Sequence, residues 1–110
     1  MVQAPALYAS EPYGRGQAQA ANEDGSANSA TNAAAAGSIV TLRLTGHRGR
    51  KISVQICGRP AEVVSLREMG SGKAEVRVRV PVGLAADAAV PVRVKAGEFF
   101  SQSGVTLAVR

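Results

Sequence analysis

From Gly37 onward, apolar and polar residues alternate with a period of two. Val40, Leu42 and Leu44 alternate with Thr41, Arg43 and Thr45; Ile52, Val54 and Ile56 with Ser53, Gln55 and Cys57. The same rhythm returns at Val76, Val78 and Val80 against Glu75, Arg77 and Arg79, and at Val90, Val92 and Val94 against Pro91, Arg93 and Lys95. It returns once more at Val105, Leu107 and Val109 against Thr106, Ala108 and Arg110. Side chains of a strand point alternately to its two faces, so each segment predicts a strand with one apolar and one polar face. Ala61–Leu66 is a shorter, less regular candidate. Strands of this kind belong to antiparallel sheets with one side dry and one side wet.

The breaks between segments are turn chemistry: Gly46–Gly49, Gly58-Arg59-Pro60, Gly70-Ser71-Gly72, Pro81-Val82-Gly83 and Ser101–Gly104. Strands that recur roughly every 10 to 20 residues without helices between them favour a sandwich over strand–helix units. Pro91 lies inside an alternating run. Proline donates no ladder hydrogen bond, so the expectation is an edge strand or a strand that starts near Pro91. Residues 1–36 have a different texture: Ala, Gly, Ser, Asn and Gln with few branched apolar residues. Asn22-Glu23-Asp24-Gly25-Ser26 contains an Asp-Gly turn dipeptide. It predicts a weak hairpin of Gln17–Ala21 with Ala27–Ser29 in an otherwise extended, partly disordered arm. A domain over 37–110 has a small core, which contributes only about 3–5 kcal/mol net. It is therefore expected to lean on the arm or on an upstream domain.

Composition narrows the chemistry. Aromatic residues are 4% of the chain and Trp is absent, so the core must come from Val, Ile, Leu and Ala. One Cys allows no internal disulfide, and one Cys with one His is too few for a structural zinc site built from those ligands. No apolar run approaches the roughly 20 residues of a membrane-spanning helix. The start of the chain lacks a basic segment followed by an apolar one, so no secretory signal is expected within these residues. Charge is divided: residues 1–37 carry a net −2 and residues 38–110 a net +7. A basic domain raises the question of an anionic partner.

Several runs of residues, in order, resemble a known family. They include Ala4-Pro5-Ala6-Leu7, Gly16-Gln17-Ala18, Asn22 through Ser29, Ala36 through Leu42 and Thr45-Gly46. They continue with Val54-Gln55-Ile56, Pro60-Ala61-Glu62-Val63, Val76 through Pro81, Val90 through Val94 and Ser103 through Val109. In order and spacing they resemble the Solibacter C-terminal domain, an uncharacterised family of acidobacterial secreted proteins. The resemblance implies an immunoglobulin-like module at the C-terminal end of a longer secreted or cell-surface protein. It implies no catalytic residue. The family usually has Gly-Gly where this chain has Cys57-Gly58.

Candidate chemistry is sparse. His47, in Gly46-His47-Arg48-Gly49-Arg50-Lys51, suits a general base or a metal ligand; a polar residue in a solvated turn is the plainer reading. Cys57 suits a nucleophile only if its thiol is activated, with Arg59 close by; an inert small side chain is plainer. A triad of Ser53, His47 and Asp87 has no nucleophile-elbow motif behind it. Asn22, Asp24, Ser26 and Asn28 alternate as in a calcium loop. The bidentate Glu position of such a loop falls on Ala33, which favours a hairpin turn.

Arg77, Arg79, Arg93 and Lys95 occupy the polar phase of their strands, a candidate anion-binding face. No aromatic residue interleaves with them in sequence, which favours a solvated face. In Glu98-Phe99-Phe100-Ser101, adjacent residues of a strand point to opposite faces, so one Phe is left for a contact surface.

The expected architecture is an all-β, antiparallel immunoglobulin-like β-sandwich over 37–110, preceded by the arm over 1–36. The expected role is a non-catalytic structural or adhesive module that packs against neighbouring domains of a parent protein or against another protein. The alternative is a binder of anionic polymer (a glycan, an envelope component or, less favoured, nucleic acid) through the basic face. No cofactor, metal or catalytic residue is expected.

Overall fold

The computed structural model describes residues 5–9, 15–47, 50–70, 72–102 and 104–110. The turns expected at 46–49, 70–72 and 101–104 each include a residue outside that set, Arg48 and Gly49, Ser71 and Ser103. Among the described residues there are ten strands and no helix. They are β1 (Ala6–Leu7), β2 (Gly16–Gln17), β3 (Ala20–Ala21), β4 (Ile39–Thr45), β5 (Ile52–Ile56), β6 (Arg59–Gly70), β7 (Lys73–Arg79), β8 (Asp87–Ala96), β9 (Phe99–Phe100) and β10 (Val105–Val109).

The chain is all-β, and its strands form one mixed sheet, curled into a half-barrel. The order is β1-β4-β7-β6-β5-β8-β10-β2, with β3 also on β4 and β9 on β8. The sheet is not divided in two. β6 pairs with β5 through Arg59–Ala61 and with β7 from Glu62 to Gly70, so it belongs to both walls. Register shifts lie between Val63 and Ser65 and between Glu68 and Gly70. Bulges of this kind bend and twist a strand, which supplies the curl. They also explain why β6, the longest strand, reads as short and irregular in sequence. Val63 pairs with Val78 and Leu66 with Val76, so the inward phase jumps by one residue at Val64.

The expectation of a purely antiparallel sheet is corrected. β2 runs parallel to β10, with Val105 opposite Gly16 and Thr106 opposite Gln17, and Ala34 bridges Val109 in parallel. A parallel pair needs a long connection. Here nearly the whole chain separates the partners.

The edge-strand expectation for Pro91 is corrected too, since β8 lies between β5 and β10. The Pro91 carbonyl accepts from Cys57 N at 2.8 Å. A residue's N and C=O point to the same side of a strand, so the missing N–H faces the Cys57-Gly58 turn at the end of β5. Only the last rung of that ladder is lost.

That turn connects Ile56 to Arg59 with φ of 55° at Cys57 and 73° at Gly58. Two successive positive φ values mark the type I′ turn, whose twist matches the flanking strands.

The segment expected to be an extended, partly disordered arm is built into the sheet in its described residues. β1 and β3 pair with β4: Ala6 opposite Thr45, Leu7 opposite Leu44, Ala20 opposite Leu42 and Ala21 opposite Thr41. Tyr8 N donates to Arg43 O, and Ile39 N donates to the Glu23 carboxylate.

On the far side the arm follows β10 rung by rung. Gly16 N donates to Gly104 O, Ala18 N to Thr106 O, Ala34 N to Ala108 O, and Arg110 N to Ala34 O. Between them the buried Asn28 amide stands in for a peptide group: Nδ2 donates to Ala108 O and Oδ1 accepts from Ala108 N, both at 2.9 Å. Gln102 clamps β1 in the same way, accepting from Leu7 N and donating to Leu7 O. The ends of the curled sheet meet at one antiparallel bridge, Ala9 with Ala18.

The core is aliphatic. Val40, Leu42, Leu44, Val54, Ile56, Val76, Val78, Val80, Val92, Val94, Val105 and Leu107 are buried on the phase that alternation assigned to them, while Ile52 and Val63 are only partly buried. Each fully buried side chain contributes on the order of 1.5–3 kcal/mol. The arm adds Leu7, Ala18 and Ala34 to the same cluster.

Two measurements check this arrangement. Val78→Asp places a charge in the core and is expected to abolish cooperative thermal unfolding. Arg77→Asp, on the exposed phase between Thr41 and Ser65, is expected to change stability by no more than about 0.5 kcal/mol. Equal effects would contradict the phase. Asn28→Ala leaves the N–H and C=O of Ala108 without their side-chain partner, and is expected to cost about 1–3 kcal/mol in a denaturant titration. An unchanged midpoint would show that the Asn28 amide does not help to hold β10.

Candidate interaction surface

The half-barrel buries its apolar phase and shows its polar phase outward. Arg77, Arg79 and Arg93 are exposed and Lys95 is partly so. They do not form one face. β6 and β5 lie between β7 and β8 in the strand order, about 14 Å even along a flat sheet. On β7, acids temper the charge. Arg79 Nε lies 3.1 Å from Glu62 Oε1 and Nη1 donates to Gly37 O, while Arg43 pairs with Glu75 at 3.3 Å. These are exposed pairs, each worth only a fraction of a kcal/mol up to about 1 kcal/mol. Arg77 stands between Thr41 and Ser65.

The second group is organised differently. After β8 the chain reverses at Gly97-Glu98, and β9 folds back so that Phe100 lies opposite Lys95 and Phe99 opposite Ala96. Gly97 has φ of 60°. A glycine at the first position of a two-residue turn fits the type II′ hairpin.

The fold-back brings together what the sequence keeps apart. The Arg93 guanidinium lies 4.8 Å from the Phe100 ring centre, with Lys95 Nζ on the same ring at 5.4 Å. Arg50 lies 5.3 Å from the Phe99 ring centre. Cations over aromatic faces are attracted by the ring quadrupole, by about 0.5–1 kcal/mol at exposed sites.

Arg93 is further held by Ser101 O, which accepts from Nε and Nη2 at 3.3 and 2.9 Å. Ser101 is itself buried, its Oγ accepting from Val94 N at 2.9 Å. Arg50 donates to the carbonyls of His47 and Gly46. The result is two clusters on the opposite faces of β9, Arg93 and Lys95 with Phe100 and Arg50 with Phe99, in which Phe99 and Phe100 remain 40% and 38% exposed. The alternation pattern marked Arg93 and Lys95, and the Phe pair was conspicuous. The missed signal was Gly97-Glu98, a hairpin dipeptide that sets one against the other.

The remaining candidates are placed as follows. His47 is not in a solvated turn. It is 3% exposed, and its Nε2 lies 2.8 Å from Glu68 Oε1. The carboxylate comes from 21 residues downstream, beyond the reach of a local reading. Cys57 is exposed at its turn. Among the described residues, no three His, Cys, Asp or Glu side chains gather as a metal site would require.

The alternating polar residues of 22–28 are engaged within the chain. Asp24 Oδ1 accepts from the Ser26 hydroxyl at 2.5 Å and from its N–H at 2.9 Å, which holds the Asp24 carboxyl below its ordinary range. Asn22 Oδ1 accepts from Asn28, and Ser26 Oγ from Asn32. These bonds shape a hairpin, with Ala21 bridging Ala27.

No helix among the described residues is long and apolar enough to cross a membrane. Comparison of the chain with protein-family models, with curated proteins and with solved structures finds no match.

Proposed function

We propose that this chain is a non-catalytic structural or adhesive module that acts by packing against a partner, either a neighbouring domain of a longer protein or another protein. The observation that carries this reading is the β9 hairpin. It sets Phe99 and Phe100 half-exposed on a rigid support, with Arg50 and Arg93 over their rings. Aromatic residues and Arg are the types in which interface cores and binding hot spots are enriched. The side chains are already ordered by Ser101, His47 and Gly46, so little freedom is lost when a partner covers them. The family resemblance agrees with this reading. It adds an immunoglobulin-like sandwich and a secreted or cell-surface setting at the end of a longer chain, both of which belong to the proposal.

A second reading rests on the Phe100 cluster. An aromatic ring flanked by two cations is what a sheet uses to hold an anionic polymer, with the ring stacking on a base or sugar and the cations following the charges. Phe100 between Arg93 and Lys95 has that form, and Arg77 and Arg79 are too far away to extend it.

Retention on immobilised heparin and on single-stranded DNA at about 0.15 M salt separates the two readings. The packing reading predicts no retention of the wild-type chain. Retention that is lost in Arg93→Ser/Lys95→Ser and in Phe100→Ser, but kept in Arg77→Ser/Arg79→Ser, overturns it in favour of the polymer.

A further inference from the structure

The arm covers the outer edges of β4 and β10, but a long stretch of β6 has no partner on one side among the described strands. β5 pairs with β6 only through Arg59–Ala61. From Glu62 to Gly70, β6 has β7 on one side and no described strand on the other. Three apolar side chains stand exposed here among Glu62, Ser65, Arg67 and Glu68: Val64 is 42% exposed, Leu66 41% and Met69 45%. An edge with free backbone groups and apolar side chains is a template for another strand, and proteins ordinarily block such edges. We propose that this edge pairs with the same edge of a second copy of the chain, antiparallel about a twofold axis between Val64 and Ser65. The inference goes beyond the module reading and uses a different surface from the β9 clusters.

The register argues for a second copy. Around that axis Glu62 of each chain faces Arg67 of the other, and Val63 faces Leu66. Side chains meet across a strand pair only if they lie on the same face. Residues five apart in a regular strand lie on opposite faces. The bulge at Val64 removes that obstacle. Opposite β7, Glu62 pairs with Arg79 and Arg67 with Glu75 on the outward phase, while Val63 pairs with Val78 and Leu66 with Val76 on the inward phase. The irregularity that breaks the period in β6 thus makes its edge self-complementary in charge and in apolarity. Two Glu62–Arg67 pairs and two Val63–Leu66 pairs form together. An isologous contact of this kind closes at two copies.

Analytical ultracentrifugation of the full chain over micromolar to millimolar concentration tests the inference, with thermal melts confirming that each variant is folded. The wild type is expected to dimerise. Arg67→Glu sets like charges opposite Glu62 and is expected to weaken dimerisation by at least about tenfold. The double swap Glu62→Arg/Arg67→Glu restores the opposed signs and is expected to restore the dimer. A wild type that stays monomeric throughout, a dimer indifferent to Arg67→Glu, or a double swap that fails to recover overturns the inference. None of these outcomes bears on the β9 clusters, which heparin and DNA retention report separately.

Discussion

The structure depends on the backbone hydrogen bonds that the first 36 residues make to both free edges of the sheet. Strands β4 to β8 and β10 alone would form an open sheet with unpaired N–H and C=O groups along β4 and β10. Such groups are costly when buried and invite aggregation when exposed. The arm satisfies β4 with Tyr8, β3 and Glu23, and β10 with Gly16, Ala18, Asn28 and Ala34. In doing so it draws the two ends of the sheet together at Ala9 and Ala18 and lays Leu7, Ala18 and Ala34 on the core. A core built almost entirely from Val, Leu and Ala, without Trp, needs that cover.

The strands from Ile39 onward were legible because half-buried strands carry their signature in side-chain alternation, as Val76, Val78 and Val80 do. The arm was not legible for the same reason in reverse. Its contribution is made by the main chain and by one side-chain amide, Asn28, that imitates the main chain, while Gln102 grips Leu7 in the same manner from outside the arm. Ala, Gly and Ser suit it because small residues let a backbone lie close to a neighbouring edge, yet they read as linker. β6 was obscured by its bulges, which shift the inward phase between Val63 and Leu66. Pro91 misled because its position between two strands is tolerated only where one partner has already ended in a turn.

The surface chemistry was half legible. Arg93 and Lys95 followed from phase, and the adjacent Phe99 and Phe100 were evident as a pair. Their meeting was not, because it depends on a two-residue hairpin at Gly97-Glu98 that places Phe100 opposite Lys95. The pairing of His47 with Glu68 likewise joins the end of β4 to the far end of β6, a proximity set by topology and not by spacing. Cys57 sits at positive φ in a type I′ turn, where glycine adopts the conformation without strain.

Residue-resolved amide hydrogen exchange on the full chain tests the role of the arm most directly. The amides of Ala18, Ala34, Ala108 and Arg110 all lie in the junction between the arm and β10. If the arm is an integral wall of the half-barrel, they are protected to the same degree as Val76 and Val78 in the centre of β7 and open in the same cooperative step. Exchange of those four amides at unstructured rates, while Val76 and Val78 remain protected, would mean that the sheet stands without the arm and would contradict the account.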